Sequence, residues 1–529
     1  MLDLSTLALL ALLGLLLQLV VSYVLNPIRK IPAAHPLAPF TSLWITWVRW
    51  RKIENATLKD AHARLGPIVC LGPQEISVNC VKGGIKDVYA GGFEKRDAKT
   101  GYNWYGFFTN FGTYNMFSTG LNKPHSIRKR MLSNIYSKSV ITASPVLQTQ
   151  VSLILYQRLL PRLASIHSGT EKGIFDVLTL VSASTMDIVT SYIFGLKASS
   201  NLLDRPDRLA WFLDLYKSRL GWTFWPQEFP RLTSFLRNWL GIRLSPKWVD
   251  EANAQIEQWT KDMCDGAVVV MQQGETKTED VPSVYQQLSV AVTKDAKKND
   301  MGDVDLQPII ASEVFDHLAA GFDTSAITLT YVIHELSTHK DIQSRLQQEL
   351  QTLSPRLVAS SSPILPSPKA VDALPVLHAV VWETLRLHSA IPGPQPRFTP
   401  PQGCQLGPHG EYFVPGGVRV SASAGILHQN EDVYECASAW RPERWLDLDE
   451  VDAEKRKDME SRWFWAFGSG GRMCVGSHLA VYQMKYIVAA LYSSYSTVVV
   501  DDTGIEQSDA YTAPPKGDKL MFRLEKLEV

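Results

Sequence analysis

The sequence lacks an excess of charge of either sign, a framework of paired cysteines and any internal repeat. Its 529 residues include 53 lysines and arginines and 53 aspartates and glutamates, so the formal net charge is zero. The chain therefore lacks the net positive charge that is typical of nucleic-acid-binding proteins. The six cysteines have neither paired nor metal-ligand spacing, which is typical of a reducing compartment: Cys70, Cys80, Cys264, Cys404, Cys436 and Cys474.

Charge is also missing from the beginning of the chain. Leu4 to Leu25 is an uncharged, leucine-rich run of about 22 residues, which is long enough to cross a bilayer as a helix. A cleaved signal peptide is the alternative, but no lysine or arginine precedes the run and no small-x-small cleavage site follows it. Because positive charges follow the run, we expect a transmembrane anchor over residues 1–26 and a cytosolic domain after it. These charges are Arg29, Lys30, Arg49, Arg51 and Lys52.

Prolines are concentrated directly after the anchor. Pro27, Pro32, Pro36 and Pro39 predict a stiff, extended hinge over residues 27–40, followed by one large domain over residues 41–529. Helical periodicity dominates that domain, at about 145–165, 174–195, 248–272, 305–337, 342–353, 372–388 and 474–492. Strand-like segments are shorter, at 66–80 and 411–421. The sequence therefore predicts a mainly α domain with a small β region.

One short segment combines glycines, a phenylalanine, an arginine and a cysteine: Phe467-Gly468-Ser469-Gly470-Gly471-Arg472-Met473-Cys474-Val475-Gly476. A cysteine binds iron only as its thiolate, and an axial thiolate pushes electron density onto a haem iron. Gly470 and Gly476 can adopt conformations closed to other residues and let the backbone approach a macrocycle. Phe467 can cover the sulfur, and Arg472 offers a planar charged fork to a haem propionate. The alternative is that Cys474 is a small buried hydrophobic residue.

The spacing Phe-x-x-Gly-x-Arg-x-Cys-x-Gly resembles the haem-binding signature of the cytochrome P-450 monooxygenases. The resemblance implies the cytochrome P-450 fold, haem b with Cys474 as its axial ligand, and a haem-thiolate catalytic domain over residues 41–529. Glu383 and Arg386 look like the family's Glu-x-x-Arg motif, and Arg444 resembles the arginine that completes a buried charge triad with them. A solvated helix face is the alternative reading of such a pair.

The oxygen side of the haem is implied by a second motif. Ala319-Ala320-Gly321-Phe322-Asp323-Thr324 lies in a long apolar stretch and resembles the Ala-Gly-x-Asp-Thr motif of the family's distal helix. Gly321 would leave room for oxygen, Thr324 would open the helical hydrogen bonds and hold a water, and Asp323 would relay protons. Asp316, two turns earlier, could meet a substrate hydroxyl, although an internal hydrogen bond is the alternative.

The resemblance also suggests which residues contact the haem propionates. Arg397 matches the arginine that follows the Glu-x-x-Arg helix, and His125 occupies a position where the family often has tryptophan or histidine. The arginine expected four residues after His125 is replaced by Lys129, so Lys129 and Arg130 remain alternative candidates. The same basic cluster could instead form a solvated face, with Arg128 helping to dock an acidic electron donor.

Two aromatic segments indicate the kind of substrate. Residues 101–120 are dense in tyrosine, tryptophan and phenylalanine where the family has a variable loop over its pocket, which favours an apolar, polycyclic or aromatic substrate. Residues 221–248 mix tryptophan and phenylalanine with arginine, which suits either a lip in the membrane interface or an ordinary amphipathic element. Residues 391–394 and 511–513 are further candidates for the pocket lining.

The resemblance implies a monooxygenase of the endoplasmic reticulum membrane, single-pass, that hydroxylates or epoxidises a secondary metabolite, as filamentous-fungal members do. It would use O2 and electrons from an NADPH-cytochrome reductase, with cytochrome b5 as a second candidate donor, because no flavin or nicotinamide site is recognisable in the sequence. The alternatives are a haem-thiolate desaturase, a phenol-coupling or rearranging enzyme, and a non-catalytic membrane haem protein.

Overall fold

The computed structural model describes residues 23–169, 173–446, 452–517 and 519–527, together with scattered positions before residue 23. These residues form mainly helices with small sheets, which confirms the predicted fold class. The helices are α1 (Leu43–Trp50), α2 (Glu54–Leu65), α3 (Asn122–Leu132), α4 (Lys138–Ala143), α5 (Pro145–Ile154), α6 (Leu160–Ser168), α7 (Val177–Phe194), α8 (Pro206–Ser218), α9 (Phe224–Glu228), α10 (Pro230–Leu240), α11 (Lys247–Gln272), α12 (Ser283–Lys298), α13 (Gln307–Thr338), α14 (Lys340–Leu350), α15 (Pro368–Asp372), α16 (Pro375–Leu387), α17 (Ala424–Leu427), α18 (Ala453–Lys457) and α19 (Ser477–Tyr492).

Three small sheets lie beside the helices. The strands are β1 (Ile68–Gly72), β2 (Glu75–Val78), β3 (Ile174–Asp176), β4 (Arg397–Phe398), β5 (Cys404–Leu406), β6 (Tyr412–Val414), β7 (Arg419–Ser421), β8 (Tyr495–Asp501) and β9 (Met521–Lys526). The largest sheet has the order β1-β2-β7-β4, in which only the β2–β7 pair is parallel. Strands β3-β9-β8 form an antiparallel sheet, and β5 pairs with β6. Both predicted strand segments are therefore confirmed, 66–80 as the β1–β2 hairpin and 411–421 as β6 and β7.

The main core is built around two helices, α7 and α13. Helix α7 is buried on nearly every face because its residues are almost all apolar or small, so no polar stripe is available for solvent. Helix α13 has 32 residues, a length of about 48 Å, and packs along α7. Pro308 stands in its first turn, where the missing N–H costs no helical hydrogen bond. Helices α16 and α19 pack on the other side of α13, so α13 crosses the centre of the domain.

The predicted membrane anchor lies largely outside the described residues. Among the residues that the structure describes, one helix is long and apolar enough to span a bilayer, and it is the core helix α7, 94% of which is buried in the domain. The predicted hinge contains no α-helix, but it packs on the domain rather than standing free. Ile28 and Ile31 are buried, and Cys70 of β1 donates its N–H to the Pro32 carbonyl at 2.8 Å.

Candidate functional site

The segment around Cys474 forms a tight loop that ends at the start of α19. Gly468 and Gly470 have φ values of +67° and +70°, which favour glycine. A Cβ at residue 470 would lie 2.3 Å from the Tyr89 carbonyl oxygen, so a neighbouring loop requires this glycine. Gly476 differs from the expectation, because its φ of −90° is open to any residue, although the space beside its Cα is clear. The Cys474 N–H closes the loop by donating to the Phe467 carbonyl at 2.9 Å.

Two opposing effects act on the pKa of the Cys474 thiol. Burial raises the pKa of Cys474, whereas the N–H groups of Gly476 and Ser477 and the charge of Lys129 lower it. Cys474 nevertheless keeps a large accessible surface, so we assign that surface to a cleft inside the domain rather than to the outer surface. A bound metal ion deprotonates a coordinating thiol, which would outweigh the effect of burial.

Helix α13 presents Ala320 and Thr324 on one face. Ala320 is exposed although its neighbours Leu318 and Phe322 are fully buried, which indicates that this face borders a cleft. Thr324 donates its hydroxyl to the Ala320 carbonyl at 2.8 Å, and the helix continues unbroken through this turn.

The prediction that Gly321 leaves room for oxygen is wrong. A Cβ at residue 321 would lie 2.9 Å from a methyl group of Val189, so the absent side chain permits close packing of α13 against α7 and does not open the cleft.

Asp323 belongs to a small set of hydrogen-bonded polar side chains that connects α13 with α8. The hydroxyl of Tyr216 donates to the Asp323 carboxylate at 3.4 Å, and Thr512 is a second hydrogen-bond partner. Burial raises the pKa of Asp323 to about 6, and these hydrogen bonds and the nearby Lys217 and Arg219 oppose the increase. A carboxyl group with this pKa can both release and accept a proton near neutral pH.

Four cationic or basic side chains converge near the Cys474 loop without a carboxylate. Arg397 donates to the Tyr105 hydroxyl at 2.8 Å, and Lys95 donates to the Phe117 carbonyl at 2.7 Å. Burial and Arg397 lower the pKa of Lys95 far below its usual value, and burial and Arg472 lower that of His125 to about 3. Arg472 has its own pKa lowered to about 9 by burial and by Arg397. Within the described residues none of the four forms an ion pair with an acidic side chain.

Buried basic side chains that form no direct ion pair are unfavourable as cations unless an anion joins them. Two propionates would supply that anion, so this chain's residues fit a haem on the side of Lys95, His125, Arg397 and Arg472. Arg472 already donates to the carbonyls of Thr119 and Gly120 at 2.7 and 2.8 Å and to the Asn122 side chain at 3.1 Å, so two of its five N–H groups remain for a propionate. Lys95 could not be predicted as a site residue from the sequence, because it belongs to none of the motifs.

The structure separates the two alternative residues that follow His125. Lys129 is half-buried and donates to the carbonyls of Gly471 and Met473 at 3.0 and 3.1 Å, so it holds the Cys474 loop. Arg130 lies on the outer surface. Arg128 pairs with the buried Glu313 at 3.1 Å and is not part of a solvated basic face.

Glu383 stands at the centre of a fully buried charge cluster. Its carboxylate accepts from Arg386 at 2.8 and 2.9 Å and from Arg444 at 3.0 Å. The Trp445 indole and the Arg441 N–H also donate to it, each at 2.9 Å. Although burial alone would raise the pKa of Glu383, the hydrogen bonds and the two arginines hold it below its usual value. Arg386 further donates to the carbonyls of His428, Ala437 and Ala439, so the triad ties α16 to the chain that leads to Cys474.

The aromatic segment at 101–120 forms a cluster of rings beside Arg397 and Lys95. Trp104, Tyr105, Phe108 and Phe117 contact one another and the distant Tyr511, with ring centroids 5.0 to 6.3 Å apart. We call these five rings the aromatic cage. Phe107 and Tyr114 point outward instead, with exposed fractions of 36% and 52%. Tyr511 belongs to one of the predicted lining segments, and its position in the cage agrees with that expectation.

Segment 221–248 is mostly exposed, but the side chain of one of its residues, Glu228, is held by several contacts. No residue of α9 or α10 is buried. Glu228 nevertheless accepts from the Trp104 indole at 2.7 Å and pairs with Arg419 at 3.1 Å and Arg49 at 3.5 Å. These contacts override burial and lower the pKa of Glu228 to about 2. The Glu228 cluster therefore joins the exposed segment to α1, β7 and the aromatic cage.

Comparison with known proteins agrees with this geometry. The family model described as Cytochrome P450 matches residues 34–522. The monooxygenase hkm5 of Aspergillus hancockii is 27% identical over 93% of this chain and 89% of its own length. The monooxygenase FGM1 of Gibberella zeae is 26% identical over 97% and 96%, and ucsK of Acremonium sp. is 28% identical over 82% and 80%. A match over nearly the whole domain, together with the Cys474 loop and the cations beside it, places the chain in the cytochrome P450 family, as a haem-thiolate monooxygenase.

Proposed function

We propose that Cys474 is the axial ligand of the haem and that the enzyme oxidises an apolar, polycyclic secondary metabolite by hydroxylation or epoxidation. The haem supplies oxygen activation when it is bound. The observations that carry the proposal are the accessible surfaces of Cys474 and Ala320 within the domain, from which we infer a cleft, and the cations and the aromatic cage that meet at the Tyr105–Arg397 hydrogen bond. An apolar cluster of this kind excludes water and holds flat ring systems by stacking.

The residues of α13 would deliver protons in this proposal. The Thr324 hydroxyl can hold a water at the cleft, and Asp323 can pass protons from the region of Tyr216 and Arg219, because the pKa of Asp323 is raised to about 6. Lys129 and the N–H groups of Gly476 and Ser477 would stabilise the thiolate. Arg397, Arg472, His125 and Lys95 would hold the propionates, and the Glu383 cluster would fix the loop from the opposite side.

The function is tested by the metabolites of the native host carrying either the wild-type chain or Cys474→Ser. We expect the variant strain to accumulate a precursor that is lighter than the wild-type product by one oxygen atom, measured by mass spectrometry. A precursor that differs only in hydrogen count would establish desaturation or coupling instead, and an isomer would establish rearrangement. Identical metabolite profiles would contradict a biosynthetic role.

Thr324→Ala should uncouple NADPH consumption from product formation. We expect haem binding to persist and the product formed per NADPH to fall by about tenfold or more, with hydrogen peroxide released, because positioned proton transfer contributes on the order of 10²–10⁴ to a rate. Thr328→Ala is the matched control, since Thr328 makes the same backbone hydrogen bond one turn later but is buried. Equal coupling in the two variants would refute the role of Thr324.

We also propose that the enzyme is anchored in the endoplasmic reticulum by residues 1–26 and receives electrons from an NADPH-dependent reductase, with cytochrome b5 as a second donor. The half-buried Lys129 contacts the Cys474 loop, and the exposed Arg130 follows it in α3, so an acidic donor could approach the haem on this side. For the membrane, apolar side chains are exposed on α1 and on segment 221–248, among them Leu43, Trp47, Trp222, Phe235, Trp239 and Leu240. The Arg49–Glu228 pair places α1 and α9 side by side, so both groups can meet one lipid surface.

Removal of the anchor should therefore release the enzyme only in part. We expect a chain lacking residues 1–26 to remain divided between membrane and supernatant after sedimentation, and Phe235→Ser with Trp239→Ser to shift it to the supernatant. These two side chains are 52% and 79% exposed. Ile364→Ser, at an equally exposed residue outside this surface, is the control and should change nothing. Complete release by the truncation alone would contradict a second membrane contact.

A further inference from the structure

The imidazole of His428 is fully buried and forms hydrogen bonds through both of its nitrogen atoms. Nδ1 lies 2.8 Å from the Arg386 carbonyl oxygen, and Nε2 lies 2.7 Å from the backbone nitrogen of Trp465. Arg386 returns the contact, because its guanidinium donates to the His428 carbonyl at 2.8 Å. Trp465 precedes Cys474 by nine residues, so one side chain joins the Glu383 cluster to the chain that leads into the Cys474 loop.

The partners of His428 fix its tautomer. A carbonyl oxygen can only accept, so Nδ1 carries the proton, and a backbone N–H can only donate, so Nε2 offers its lone pair to Trp465. Ser389 fits this assignment, since its hydroxyl donates to the Leu385 carbonyl at 2.7 Å and its oxygen, 3.1 Å from Nδ1, can accept from the same proton. Burial, together with the charge of Arg386, lowers the pKa of His428 to about 3, so the ring is neutral at physiological pH.

Trp465 carries this restraint into the Cys474 loop. Its carbonyl accepts the Gly468 N–H at 3.0 Å, which closes a turn over residues 465–468, and its indole donates to the Ser469 hydroxyl at 2.8 Å. Phe467 belongs to the same turn, and its carbonyl accepts the Cys474 N–H at 2.9 Å. A shift of the Trp465 backbone would therefore move the carbonyl that holds the cysteine.

Packing alone does not account for an imidazole at this position. The ring stacks on Phe464 with centroids 5.5 Å apart, so an apolar side chain would also find a neighbour here. An apolar side chain would nevertheless leave the buried Trp465 N–H without an acceptor, which costs more than an average hydrogen bond contributes. The specific gain from His428 is thus the acceptor at Nε2.

We propose that His428 is a positioning residue for the axial ligand: by accepting the Trp465 N–H, it holds the turn that closes the Cys474 loop and keeps the sulfur where it binds iron as a thiolate. The inference rests on the proposed role of Cys474. The contact from Nδ1 to Arg386 aims the ring, and the contact from Nε2 to Trp465 acts on the loop.

Two amide substitutions separate the two halves of the imidazole. In His428→Gln the amide oxygen can take the place of Nε2 and accept from Trp465, whereas in His428→Asn the shorter amide reaches only the place of Nδ1 and donates to Arg386. The readout is the rate at which the reduced, carbon monoxide-bound holoenzyme loses its thiolate-type spectrum in mild denaturant, with the fold followed by circular dichroism. We expect a rate at least about tenfold above wild type in His428→Asn and within about threefold of wild type in His428→Gln.

Ser469→Ala interrupts the same path at its other end. Ser469 is half-buried and accepts from the Trp465 indole, so its loss should leave the core folded while the loop loosens. We expect its spectrum to disappear about threefold faster than that of wild type. Ser461→Ala is the matched control, because Ser461 is exposed and donates only to the Lys457 carbonyl, and its rate should equal that of wild type.

Equal rates in His428→Asn and His428→Gln, or a faster loss in His428→Gln, would overturn the proposal, since the ring would then act by filling space or through Arg386. If neither His428 variant folds, Ser469→Ala decides, and a rate equal to that of Ser461→Ala would overturn the proposal. A wild-type enzyme without a thiolate-type spectrum would contradict the role of Cys474 itself, so the two failures are distinguishable.

Discussion

Cys474→Ser is expected to abolish the thiolate-type carbon monoxide spectrum of the reduced enzyme and to bring oxidation below detection. A serine hydroxyl is not ionised under conditions in which a metal-bound cysteine is a thiolate, so the strong axial donor is lost even if the loop keeps its shape. The loop should persist, because its closure depends on the Cys474 N–H and on Gly470 rather than on the sulfur. The measurement is the difference spectrum of purified protein.

Cys436→Ser is the control for this substitution, since Cys436 is also exposed but lies outside the cleft. Its spectrum should equal that of wild type. A thiolate-type spectrum in Cys474→Ser would show that another residue holds the iron, and the proposed site would then be wrong.

Glu383→Gln is expected to cost about 3–5 kcal/mol of folding free energy and to leave protein that retains little haem. The substitution leaves Arg386 and Arg444 buried without a counter-charge, which is the costly way to break a buried ion pair. Arg386 also holds three backbone carbonyls near the proximal loop, so its displacement should disturb the approach to Cys474. Denaturant unfolding and the ratio of haem to protein measure the two effects.

The matched control is Glu443→Gln, at the residue that precedes Arg444. Glu443 is half-exposed and pairs with Arg345 at 3.8 Å, so its loss should cost no more than about 1 kcal/mol. Equal stability of the two variants would mean that the Glu383 cluster does not hold the fold.

Motif residues were predictable from the sequence because their spacing is set by local chemistry. The loop around Cys474 and the Glu383, Arg386 and Arg444 cluster are examples, and the long apolar run of α13 was found within two residues of its bounds. Gly321 was identified but misinterpreted, since only the packing of α7 shows that its absent side chain faces Val189.

Other contributors depend on tertiary contacts that no local pattern contains. Lys95 resembles any surface lysine in the sequence, yet the loop of residues 101–120 buries it between two rings. Lys129 and Arg130 could not be distinguished because adjacent helical positions point about 100° apart, and only the orientation of α3 decides which one meets the loop. For Asp316, the presence or absence of a partner depends on what surrounds α13 on every side.

The Glu228 cluster couples the position of α9 to the packing of the aromatic cage. Trp104 donates to Glu228 and is also a member of the aromatic cage. A displacement of α9 large enough to separate Glu228 from the indole therefore removes a support of the cage at the same moment. A substrate that entered beside α9 would therefore loosen the aromatic cage as it passed, and the return of Glu228 to Arg419 and Arg49 would restore the cage.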